Sequence, residues 1–94
     1  MTPYERMTVL ALSFPEVDKC ARELVVPWTD ARPLLRAIRR GGFGHGCLCS
    51  LKFLVSVWNP YENGKKFDLH EALGVWDAPH RAAFLAWVKD PWWP

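Results

Sequence analysis

Neither a long apolar run, nor a strong excess of one charge, nor an even set of cysteines occurs in this chain of 94 residues. The longest apolar segment, near "CLCSLKFLVSVW", is interrupted by Lys52 and falls short of the roughly 20 residues that a spanning helix needs. No membrane association is expected. Twelve basic residues against ten acidic ones leave a formal charge of +2, too small to announce a nucleic-acid binder. Three cysteines cannot all pair within one chain, which favours a reducing compartment. The opening "MTPYERMTVLALSFP" has Glu5 where a secretory signal carries its basic residues, and acidic residues follow Pro15 in place of a small-residue cleavage site. The expectation is a cytoplasmic protein.

Chemistry-bearing motifs are equally scarce. The loop "GGFGHG" lacks the lysine and the preceding strand of a phosphate-binding loop. "HGCLC" puts His45, Cys47 and Cys49 close together, with Cys20 and His70 elsewhere. A C-x-C pair entering a helix points its sulfurs about 200° apart, and no second cysteine pair completes a tetrahedral zinc site. A nucleophilic thiol needs a base beside it, such as His45, His70 or His80, and an oxyanion-binding loop that this sequence does not offer. His70 and His80 read as polar groups in first helical turns, with the ring of His80 placed to edge the core four residues before Phe84. The expectation is no enzyme, no catalytic residue, no metal and no cofactor.

What the chain has in quantity is helix punctuation and aromatic bulk. Thr2-Pro3-Tyr4-Glu5 combines a capping hydroxyl, a proline at the first helical position and a glutamate three after the cap. Ser13-Phe14-Pro15-Glu16, Asp68-Leu69-His70-Glu71 and Asp77-Ala78-Pro79 are variants, and Thr29 or Asp30 ahead of Pro33 gives another. These signals predict helices over about 3–12, 15–25, 30–40, 46–58, 69–73 and 78–89. "TVLALSF" also alternates as a strand does, so the first 28 residues admit either state. The 46–58 helix is apolar nearly all round and belongs at the centre. In the last helix Phe84, Trp87 and Val88 form the expected inward face, with Ala83 beside them. The fold class is therefore all-α: one domain, residues 1–94, built as a compact bundle of four to six short helices around the 46–58 helix. Six tryptophans, five phenylalanines and two tyrosines supply the volume that so short a chain needs for a core.

Two surface features remain. Arg32, Arg36 and Arg40 recur every four residues, and Arg39 joins them, forming a basic stripe on the outer face of the 30–40 helix. Near a helix C-terminus such charge also complements the dipole. Lys65-Lys66 adds a second basic spot. Tryptophan beyond what the core uses falls to Trp28, between helices, and to Trp92 and Trp93 in "PWWP", where at least one ring is expected to fold back. Arg32, Arg36, Arg39, Arg40, Trp92 and Trp93 are the candidate partner-binding residues.

The segment from Leu34 to Val88 resembles small uncharacterised accessory proteins carried by plasmids, integrative elements and prophages. The shared pattern is a glycine turn, a helix ending F-L-x-x-x-W-N, then a glycine-containing loop into F-D-L. Here these positions are Phe53, Leu54, Trp58, Asn59, Gly64, Phe67, Asp68 and Leu69. The resemblance implies a non-catalytic interaction module, for example an anti-defence or anti-CRISPR inhibitor of host machinery. Its expected partner is a host or phage protein, alone or in a nucleoprotein complex, and self-association is a further outlet. The alternative is a DNA-binding accessory protein that docks the basic face of the 30–40 helix on phosphate.

Overall fold

A computed structural model describes residues 1–60 and 67–94. The described residues form helices only: α1 (Pro3–Leu12), α2 (Pro15–Cys20), α3 (Arg22–Val25), α4 (Arg32–Arg40), α5 (His45–Trp58), α6 (Leu69–Val75) and α7 (Ala78–Lys89). In "TVLALSF" residues 8–12 are helical within α1 and no residue is a strand, so its strand reading is set aside. Lys65, Lys66 and Gly64 lie outside the described residues.

Three of the expected caps form. Thr2 accepts from the Glu5 N–H at 3.1 Å while Glu5 accepts from the Thr2 N–H at 3.0 Å, closing a reciprocal capping box. Asp68 and Asp77 each accept from the backbone N–H three residues on. The other two do not form. Pro15 occupies the first position of α2, which makes Phe14 the cap, and Ser13 turns back to the Leu10 carbonyl. Ala31, not Thr29 or Asp30, precedes α4, because Pro33 sits second in that helix rather than first. Asp30 instead accepts from the Ala31 N–H at 2.8 Å and pairs with Arg32.

The expected 15–25 helix is broken at Ala21, whose φ of −137° leaves the helical region. The bend keeps Val17, Ala21 and Val25 all buried. One straight helix would carry Val25 about 80° beyond Val17. Gly41 and Gly42 end α4 at φ values of 83° and 99°, which only glycine adopts without strain.

At the centre lies α5, packed by α1, α2, α4 and α6, while α3 bridges α1, α2 and α4. Its Phe53 is the hub of the aromatic core. The rings of Phe14, Phe67, Phe84 and Trp87 meet it at centroid distances of 5.7, 5.3, 5.2 and 5.3 Å. Trp76 joins edge-on and donates its indole N–H to Ser50 Oγ at 3.0 Å, so this buried polar pair is satisfied. α7 thus docks on the core through Phe84 and Trp87. The inward direction of α7 is set by His80, Ala83, Phe84 and Trp87, and Val88 lies about 90° from their mean. Val88 is accordingly exposed, contrary to its expected place on the inner face.

Candidate functional site

α4 divides its side chains cleanly. Leu34, Ala37 and Ile38 are buried against α5, and Arg32, Arg36, Arg39 and Arg40 are exposed on the other side. Arg32 pairs with Asp30. No ion pair of Arg36, Arg39 or Arg40 occurs among the described residues. Arg39 and Arg40 occupy the last turn, where positive charge complements the helix dipole; Arg36 has no such role.

The tryptophans near residue 94 form a second patch on other elements. Trp92 folds back half-buried, with the Arg6 guanidinium 4.2 Å above its ring and its carbonyl accepting from Trp87 Nε1 at 3.1 Å. Trp93 rests edge-on against Trp87 at 5.3 Å and keeps 54% of its surface exposed. Beside them a shallow groove of about 260 Å³ runs between α1 and α7, lined by Val9, Ala86 and Trp92 among others. The arginine stripe and the tryptophan patch are therefore built on different helices. Arg6 was not among the expected residues; only tertiary packing brings it over Trp92. Trp28, expected as tryptophan beyond what the core uses, belongs to the core instead: it is 1% exposed and packs against Trp58.

His80 is the buried polar group that sequence reasoning underrated. Its Nδ1 meets Asp77 at 2.6 Å, and its Nε2 accepts from the Glu16 backbone N–H at 3.2 Å. The hydrogen-bond network thus assigns a neutral ring with the proton on Nδ1. His80 supplies, from 64 residues away, the acceptor that the unformed Ser13 cap leaves wanting. The bonds also hold the Asp77 carboxyl below the ordinary carboxylate range, first through the His80 side chain and then through its backbone N–H. A depressed folded value means stability that is complete above the unfolded carboxylate pKa and fades as pH falls through the folded one. Melting temperature measured downward from about pH 5 should fall less steeply in Asp77→Asn than in the unchanged chain.

Cys47, Asp77 and His80 line one small cavity, a grouping that suggests a thiol–imidazole–carboxylate triad. Its chemistry runs the other way. Both ring nitrogens of His80 are engaged, and burial pushes the Cys47 thiol up to about 11, with the Cys20 and Glu16 charges adding to it. An activated thiol has a lowered pKa and a base free to take its proton. Burial likewise raises the Cys49 thiol, with Glu71 next in effect. Cys49 groups with His45 and Glu71, on a face that a search for C-x-x-C pairs overlooks.

No helix among the described residues is long and apolar enough to cross a membrane. No protein-family model matches the chain, and neither curated proteins nor solved structures give a significant match to it.

Proposed function

We propose that this chain is a non-catalytic protein-interaction module, an accessory protein of a mobile element that acts by occluding an acidic surface on a host or phage protein. The supporting observation is the exposed stripe of Arg32, Arg36 and Arg40 on a helix whose other face is sealed in the core. Like charges four apart on a helix cost about 0.2–0.5 kcal/mol per pair. Arg36 adds to that cost without capping the helix or pairing with an acid among the described residues. A guanidinium so placed is suited to bidentate bonds with a partner's carboxylates. Exposed Trp93 offers apolar contact area on the other patch.

Arg36→Glu is the discriminating substitution. Nuclease-treated host extract passed over the immobilised chain should leave a protein on the unchanged form that Arg36→Glu fails to retain. Equal retention by both forms would remove the arginine stripe from the function. The DNA-docking alternative rests on the same stripe and separates by salt. Retention of pure duplex DNA would weaken with a log–log slope of about 0.9 per phosphate contacted. The interaction-module reading expects no such retention at low salt.

A further inference from the structure

Away from the arginine stripe, one cluster unites three ligand chemistries. His45 opens α5 and Cys49 follows four residues later, so both project from one side of the same helix. Glu71 reaches them from the first turn of α6, which packs on α5. One ligand atom from each residue, an imidazole nitrogen, a sulfur and a carboxylate oxygen, lies within 4.8 Å of the others. His45 Nε2 and a Glu71 carboxylate oxygen touch directly. Local helix chemistry alone does not demand that contact. In α1 the matching glutamate, Glu5, returns to the cap residue's N–H, whereas Glu71 turns away from its own cap toward α5.

From this geometry we propose that His45, Cys49 and Glu71 form a binding site for a zinc-class divalent ion, with a fourth position open to solvent. Bonds of about 2.0–2.3 Å in a tetrahedron place ligand atoms roughly 3.3–3.8 Å apart. The widest pair therefore closes by about an ångström, and the touching His45 and Glu71 atoms part by about as much. Cys49 is 3% exposed and serves as the fixed anchor, while His45 and Glu71 are partly exposed and supply the movement. Mixed nitrogen, sulfur and oxygen donors suit zinc and exclude magnesium and calcium, which take oxygen ligands. A thiolate and a carboxylate together cancel a charge of +2. The α5 N-terminus, whose dipole repels a bare cation, then faces a neutral group. Binding forms the metal–sulfur bond and releases the Cys49 thiol proton to solvent, while the proton that bridges His45 and Glu71 moves to the other ring nitrogen or to solvent, so affinity rises with pH. The bound ion would tie the start of α5 to the first turn of α6.

Co²⁺ is the probe, because a cobalt–thiolate bond gives a near-ultraviolet charge-transfer band and four-coordination gives visible bands. Titration of the reduced chain should produce both at one equivalent, with Zn²⁺ bleaching them. The charge-transfer band should vanish in Cys49→Ser and persist in Cys20→Ser. Glu71→Gln, a change at a partly exposed site that spares the core, should weaken Co²⁺ binding by at least about tenfold. Zn²⁺ should raise the melting temperature of the unchanged chain and leave that of His45→Gln unmoved. Absence of a charge-transfer band, or its survival in Cys49→Ser, would overturn the assignment. So would undiminished affinity in Glu71→Gln. These readouts need no partner protein, so their failure leaves the interaction-module reading standing, and the reverse holds.

Discussion

Phe53→Ala is expected to remove about 3–5 kcal/mol of stability. A domain of this length carries on the order of 5–14 kcal/mol in all, so the loss is a large share of the total. The reason lies in where the ring sits. Phe53 is 2% exposed and touches aromatic rings contributed by the α1–α2 connection, the segment leading into α6, and α7. Truncation deletes the buried ring and leaves a cavity whose walls come from separate helices and cannot all close inward. Edge-to-face ring pairs add to the cost of the lost area, since their geometry is worth more than burial alone. Thermal unfolding followed by far-ultraviolet circular dichroism should show a drop of about 15 °C or more. A fall of under about 5 °C would mean that the core does not centre on this ring.

The second large effect is expected for His80→Ala, on the order of 2–4 kcal/mol. The ring lies 6.1 Å from Phe14 and joins Asp77 at the start of α7 to Glu16 at the start of α2. Removing it leaves the Glu16 N–H without its acceptor and frees the Asp77 carboxylate from its side-chain partner. The loss has a location as well as a size. Hydrogen exchange should accelerate most in α2, which loses the His80 acceptor at its first turn, and least in α5. Uniform acceleration across all helices would reduce His80 to packing volume.

These two residues mark what a sequence can and cannot disclose. Caps at Thr2, Asp68 and Asp77 were legible because the accepting side chain and the backbone N–H that donates to it lie three residues apart and need no knowledge of the fold. The central position of α5 was legible for a related reason: a helix apolar on nearly all sides has nowhere else to go. The cap of α2 was not legible, since its acceptor comes from 64 residues away. Nor was the break at Ala21, which has no proline or glycine to announce it and arises from the need to bury both Val17 and Val25. Val88 lies off the inner face because His80, Ala83, Phe84 and Trp87 together set the rotation of α7. Of the candidate site, the exposed arginines followed from four-residue spacing alone. The seat of Trp92 beneath Arg6, and the meeting of His45, Cys49 and Glu71, depend on how separate helices pack.

The aromatic core makes the fold, and the arginine face lies outside what the fold needs. The melting temperature of Arg36→Glu, compared with the unchanged chain at low ionic strength, tests that separation most directly. Glutamate at this position faces Arg32 and Arg40 at four-residue spacing, which turns two repulsions into attractions of about 0.2–0.5 kcal/mol each. The predicted result is an unchanged melting temperature, or a rise of a few degrees. A fall of more than about 4 °C, near 1 kcal/mol, would show that Arg36 holds the fold together and would contradict the account.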